Sequence, residues 1–516
     1  MQLFRLVGPR ARRCVLDTVN LKFSLRTEGR CGRDYPREPR ELGWGHHVDR
    51  NTPALVLLLL GALFHGWCAF ADSPLLKIER MGQGQARISW PVEPSGFALE
   101  RTTSLGEDDW TIVGNTVVVA DSHTATISCS EHASFYRLAK QTSAPRYRLG
   151  LQVSANGVAR YDKVAEVPLN LTALLREIHA AVEVEPESLR VVELDAQDQV
   201  VHEAVPFQFD RAPHYHPLTN ASGTLVFLLS GNTGEAATRR LHFYFGATNG
   251  LPSTSPTNRV SIEFDPPLMY QGQSSFRIHT PGASYYYHIA GAGFASMIDP
   301  DGNDWISFRP LGGSAGSYRG IPNLVYPEGH FHPGNNSCTS SVATVGPLKI
   351  TVYSESRDKK WACAWDFFPT SARLTVLKTN GPYWFLYEGT PGGKLDAVTD
   401  FVVRSPGTRT TASTSWDQDL PDPEWVCFGD GQSPHLLFLL HHQDDGGKDS
   451  YWPMENNMTV FGFGRSGLNK YLNQVPDQFT IGFTKTNRLE FLSQDLEAMR
   501  RQLQIVCGPL EPAPIP

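Results

Sequence analysis

The sequence predicts a mainly β protein built from several modules, and three observations carry that reading. The chain has 516 residues, more than one ordinary hydrophobic core serves, so about two to four domains are expected. It holds 45 Gly, 37 Pro, 27 Phe and 11 Trp with only 19% charged residues, a turn-rich and aromatic balance that suits strands. Apolar residues alternate over short runs broken by turn residues, as in "ARISWPV", "GFALERT", "GTLVFLLSG" and "RRLHFYFG", which is the period of half-buried strands.

The first element is a leader. "ALVLLLLGALF" between Ala54 and Phe64 is short for a membrane span and fits the apolar core of a secretory signal, with Ala69 and Ala71 at the small-residue positions of a cleavage site. Residues 1–71 therefore read as leader and signal peptide. The Arg-rich stretch over residues 1–50 reads as an over-extended start, and a single-pass anchor is the alternative. Localisation is expected to be secreted, periplasmic or at the cell surface, with no stable membrane insertion after cleavage. Those 71 residues carry 11 Lys and Arg against 6 Asp and Glu, leaving 35 against 47 and a net charge of −12. Nothing basic remains to hold nucleic acid. Cys129, Cys338, Cys363, Cys427 and Cys507 show no CxxC spacing, which excludes zinc-ribbon chemistry and leaves one or two disulfides open.

Residues 74–141 read as a small Ig-like sandwich of short strands. "ARISWPVEPSGFALERTTSLGEDDWTIVG" closing with "FYRLAK" resembles the fibronectin type III-like modules of secreted multidomain bacterial proteins, and that resemblance makes Trp90, Leu99, Trp110 and Tyr136 core residues. Residues 146–258 form a second module, with strands around one short helix marked by Leu171, Leu174, Leu175 and Ile178 at helical spacing. Its "SLRVVELDAQDQVVHEAVPFQFD" is similar to the RIFT-type β-barrel modules that accompany carbohydrate-active enzymes. Residues 260–508 are the largest and most aromatic region, a strand-rich sandwich closed by an amphipathic helix on Leu489, Leu492, Leu496, Met499 and Leu503. This region resembles the galactose-mutarotase-like sandwiches that recur in polysaccharide lyases and glycoside hydrolases. The resemblance implies a polysaccharide as the partner and gives no mechanism.

The chemistry concentrates in "YRGIPNLVYPEGHFHPG", "GPYWFLYEGTPGG" and "LLFLLHHQDDGGKDSYWPM", text typical of strand ends rimming a cleft. In an extended chain Glu328, His330 and His332 share one face. They could hold a divalent metal, with His441 and Asp444 as further ligands, or form a hydrogen-bonded loop. Asp299, Asp301 and Asn303 in "DPDGNDW" resemble a calcium loop, although the same residues make a tight hairpin turn. No cofactor is required by the sequence, and Ca²⁺ or Zn²⁺ is the candidate.

A lyase acting on an acidic polysaccharide needs a base, a group to neutralise the carboxylate and an acid. Tyr318, Arg319, Asn323, Tyr326, His330 and His332 supply every part. A hydrolase needs two carboxylates flanking the bond, for which Glu328 and Glu388 are the pair by context, with Asp444 or Asp445 in reserve. His441 joins the catalytic candidates. Tyr383, Trp384, Tyr451 and Trp452 are candidate sugar-stacking walls, and Arg465 in "GFGRSG" is a candidate substrate contact. No GxSxG elbow, P-loop or Rossmann fingerprint is present. The expectation is a polysaccharide lyase, with a glycoside hydrolase or a noncatalytic carbohydrate-binding protein as the alternatives.

Overall fold

The computed structural model describes residues 3–6 and 75–513, apart from 82–84, 92–96, 103–110, 114–115, 120, 129–133, 141–145, 181, 247–257 and 311–318. It is mainly β, 56% strand and 7% helix, and separates into two compact units, residues 1–144 and 145–516. The signal-like stretch and Trp110 lie outside the described residues, and so does Tyr318. Among the described residues no helix is long and apolar enough to cross a membrane.

The first unit is a pair of four-stranded sheets around one core. Gln85–Pro91 alternates buried and exposed residues, as a strand with one wet face must. It lies between Lys77–Met81 and Ser122–Ser128. Ile88, Trp90, Leu99, Ala125 and Tyr136 pack together between the sheets. Leu3–Leu6, inside the stretch read as a leader, pairs antiparallel with Ser134–Lys140.

In the second unit, residues 146–246 form a five-stranded and a three-stranded sheet packed through Leu149, Leu225, Phe227 and Phe243. Neither closes, so the expected barrel is an open sandwich. The five-stranded sheet takes its edge strand, Gln504–Ala513, from the end of the chain, where it pairs with Arg146–Ser154. Helix α1 (Leu171–Glu177) starts where Asn170 accepts a hydrogen bond from the Ala173 amide at 2.9 Å, the usual Asn cap.

The remaining strands form one large sandwich. A nine-stranded antiparallel sheet runs from Cys338–Val345 at one edge to Thr408–Thr411 at the other. It is faced by two four-stranded sheets, one of strands within 261–298 and one of β1 (Phe385–Gly389), β2 (Trp416–Gln418), β3 (Asp449–Met454) and β4 (Met458–Phe463), in the order β1-β4-β3-β2. Trp305, Trp365, Phe294, Phe385, Tyr387, Phe428, Phe461 and Phe479 fill the space between. Lys349 ties the sandwich to the preceding segment, reaching Glu166 at 2.8 Å and Asp210 at 2.9 Å while 8% exposed.

After a 3₁₀ turn over Thr486–Phe491, helix α2 (Leu492–Arg500) lies on the outer face of the nine-stranded sheet. It buries Leu492 and Leu496 against Phe401, Trp425, Phe438 and Leu440. Leu496→Ala is expected to lower unfolding stability by about 2–5 kcal/mol, because the rigid sheet beneath cannot collapse into the cavity. Denaturant titration reads that loss.

Candidate functional site

Strand register builds the site on the outer face of the β1-β4-β3-β2 sheet. Glu388 lies opposite Val460, which lies opposite Trp452. The adjacent row is Leu386, Gly462, Ser450 and Asp417. Paired residues of an antiparallel sheet share a face, so Glu388, Trp452, Ser450 and Asp417 all point away from the core. Tyr387, Phe461, Tyr451 and Trp416 occupy the alternate positions and point inward. Gly462 leaves room here, since a Cβ would stand 2.3 Å from Leu386 Cδ2 and 3.0 Å from Arg465 Cδ.

The segment 320–324 extends this sheet. Gly320 and Glu388 exchange backbone hydrogen bonds at 2.7 and 3.0 Å, Leu386 N donates to Pro322 O at 2.7 Å, and Trp384 N donates to Leu324 O at 3.3 Å. The chain then turns. Asn323 has φ 41°, Gly329 φ 72° and Phe331 φ 58°, so 325–332 is a looped hairpin and not a strand. Left-handed non-glycine residues cluster at functional sites because their surroundings must hold them there. The alternate-face metal arrangement of Glu328, His330 and His332 is therefore not formed: Glu328 is exposed, His330 is half-buried and His332 is 5% exposed.

His332 instead meets Glu388. Its Nε2 lies 3.2 Å from Glu388 Oε2, and Asn323 Nδ2 donates to the same oxygen at 2.9 Å. Both partners engage Oε2, which leaves Oε1 as the oxygen available to a ligand. Arg465 donates to Ser450 Oγ at 3.2 Å and lies 5.8 Å from the Trp384 ring centre. Burial holds its guanidinium below the ordinary value, against the pull of Glu388 and then Asp417. Lys470 sits 5.1 Å from the same ring and reaches the Tyr326 carbonyl. A cleft of 430 Å³ is lined by Trp416, Asp417, Ser450, Trp452 and Arg465 among others.

The predicted aromatic walls divide by burial. Trp452 is 45% exposed, fit to receive a ring, and the catalytic candidate Tyr326 is 49% exposed. Tyr383, Trp384 and Tyr451 are buried, and their polar atoms are bonded internally, to Asp477, Asn323 O and Ala412 O. Tyr383 and Tyr451 belong to the core, whereas Trp384 lies beneath Arg465 and Lys470. Arg319 is 9% exposed and donates to Asn457 O at 3.4 Å.

Asp299 is a turn residue. Its Oδ1 accepts from the amides of Asp301 and Asn303, and its Oδ2 from Asn303 Nδ2 and Trp305 Nε1. Four protein donors saturate the carboxylate and leave no lone pair for the calcium loop considered from sequence. Asp301 pairs with His435 at 3.1 Å. The four described cysteines that follow residue 129 are free thiols.

His441 stands in a different place, the buried edge of the core. Its Nδ1 is 2.5 Å from Glu424 Oε2 and its Nε2 is 2.9 Å from Asp477 Oδ1, which also accepts through its other oxygen from Tyr383 at 2.8 Å. Burial opposes the charged ring, yet the hydrogen bonds of Asp477 and Glu424 raise its pKa to about 10. It is an imidazolium in place, with no free nitrogen for catalysis or metal ligation. Glu424, Asp477, Asp417 and Lys470 carried no local sequence signal, since each acts only once distant strands are paired.

No family model matches the chain, and no curated protein does. Solved structures share parts of its shape. An α-mannosidase from Enterococcus faecalis V583 has a TM-score of 0.36 at 10% identity, over 70% of this chain and 46% of that one. A protein in the glycosyl hydrolase family 38 from Enterococcus faecalis has 0.35 at 9%, over 70% and 47%. HI1317 has 0.32 at 11%, over 44% and 99%. The chain thus spans about half the length of the first two, and at these scores the likenesses carry no argument.

Proposed function

We propose that the chain is a carbohydrate-active enzyme that hydrolyses glycosidic bonds on the outer face of the β1-β4-β3-β2 sheet, with Glu388 as its central carboxylate. One observation carries this reading. Glu388 Oε2 is fixed by His332 and Asn323 while Oε1 has no such partner, on the sheet face that also carries Trp452. A carboxylate held by one oxygen is oriented to give or take a proton with the other. His332 and Asn323 together fix the orientation of the Glu388 carboxylate.

Asp417 shares the face and is half-exposed, which makes it the second carboxylate. Its strand lies three away from that of Glu388, roughly 14 Å at ordinary strand spacing. The about 5–5.5 Å of a retaining pair is therefore out of reach, and an inverting mechanism, whose carboxylates stand further apart, is the one this spacing leaves. A second reading, β-elimination, is favoured by Arg465 and Lys470, two cations suited to neutralise a uronate carboxylate. Either cation also favours an acidic saccharide as substrate.

Reaction in oxygen-labelled water separates the two. Hydrolysis places label at the new chain end, whereas elimination leaves the product unlabelled and absorbing in the ultraviolet. Unlabelled, absorbing product would overturn the hydrolytic reading. Trp452→Ala is expected to weaken retention on an immobilised acidic polysaccharide by about tenfold, with no change in unfolding stability because the ring is half-exposed. Affinity electrophoresis measures it.

A further inference from the structure

We propose that Asp419, Glu424, Asp445 and Asp449 bind a divalent, oxygen-seeking cation of the Ca²⁺ class at the base of strand β3, a site separate from Glu388. Two triads point there. Ligand-capable atoms of Glu424, His441 and Asp445 lie within 4.8 Å of one another, as do those of Asp419, Glu424 and Asp449. Glu424 is common to both.

Charge alone would not make this a site, and an orphaned oxygen supplies the second observation. The Asp445 side chain is only 10% exposed, and its Oδ2 makes no hydrogen bond. The nearest donor, His441 Nδ1 at 3.6 Å, already donates to Glu424 at 2.5 Å. A buried carboxylate oxygen without a hydrogen bond is costly to keep, and a cation shared with Glu424 satisfies it more fully than the 3.6 Å contact with His441. The other oxygens are held in place by backbone amides: Asp445 Oδ1 by Gly447, Asp449 Oδ2 by Leu420 and Asp449 Oδ1 by Gly464. The chain is folded around these carboxylates, with Glu424 within 4.8 Å of Asp445 on one side and of Asp419 and Asp449 on the other.

The donor set selects the ion. With both nitrogens of His441 bound to carboxylates, only oxygen ligands remain, which suits Ca²⁺ and disfavours Zn²⁺. The consequence reaches the cleft. Asp449 precedes Ser450, and Gly464, which donates to Asp449, precedes Arg465, so a cation here fixes the two residues that position the Arg465 guanidinium.

The test strips the full chain with chelator and titrates it with Ca²⁺ alone, and separately with Mg²⁺ and Zn²⁺ alone, by calorimetry and thermal unfolding. One Ca²⁺ per chain and a rise in midpoint of at least about 3 °C are expected. Asp419→Asn, an exposed change that spares the buried network, should weaken Ca²⁺ at least about tenfold, and Glu424→Gln should abolish binding. Absence of heat and shift with every ion overturns the proposal, as does binding of Zn²⁺ alone. Ca²⁺ binding that Asp419→Asn leaves intact would place the ion elsewhere and overturn it equally.

Discussion

Glu388→Gln is expected to slow glycosidic cleavage by about 10²–10⁴-fold while leaving substrate affinity within a few-fold, because the amide keeps the size and the Asn323 contact but cannot carry the proton. The fold should survive, since the amide matches the carboxylate in size and keeps the Asn323 contact. A fall in kcat without a rise in KM is the signature of a group acting on the transition state. A rise in KM alone would reduce Glu388 to a binding residue. His332→Asn should slow the reaction less, since Asn323 still holds the same oxygen.

The second large effect concerns stability. His441→Ala should destabilise the large sandwich by about 3–5 kcal/mol, because it strands Glu424 and Asp477 as buried carboxylates without their shared cation. The same network gives a pH dependence. The folded pKa of His441 is raised from 6.5 to about 10, so its contribution is complete below pH 6.5 and is lost as pH climbs through the folded value. Asp449, raised from 3.8 to about 8 by burial and then by Glu424, acts in the same sense between those values. Lys163, lowered to about 8, opposes them only above that pH. His442 and His288, lowered to about 3 and about 4, act below 6.5. Between pH 6.5 and 8, in chelator, the unfolding free energy should therefore fall by about 2 kcal/mol or more. A flat or rising profile in urea titrations would contradict the imidazolium assignment.

Local patterns made much of this fold legible. The fibronectin-like resemblance made Trp90, Leu99 and Tyr136 core residues, and all three are buried. The spacing of Leu171, Leu174 and Leu175 marked α1, and Leu492 and Leu496 marked the face of α2. Half of the candidate site was legible too. His332, Asn323 and Glu388 were singled out by residue type, and the structure brings them together. Their partnership was not legible, because Asn323 and Glu388 are 65 positions apart and meet only when 320–324 lies along β1.

The misplacements share a cause. The His330 and His332 pairing assumed an extended chain, whereas left-handed turns at Gly329 and Phe331 break the two-residue period. Tyr383, Trp384 and Tyr451 looked like sugar walls because their neighbours are polar, yet strand parity points Tyr383 and Tyr451 into the core and Trp452 out of it. Asp417 and Lys470 entered the site through register alone. The cluster around His441 depends on contacts across 17 and 36 positions, which no local motif encodes.

The most direct test of the central claim is the release of new reducing ends from acidic polysaccharides by the purified chain, with Glu388→Gln alongside. The account predicts release by the wild type and its near-complete loss in the variant, with retention on the polysaccharide unchanged. Equal release by both proteins, or none by the wild type on any saccharide it retains, would contradict it.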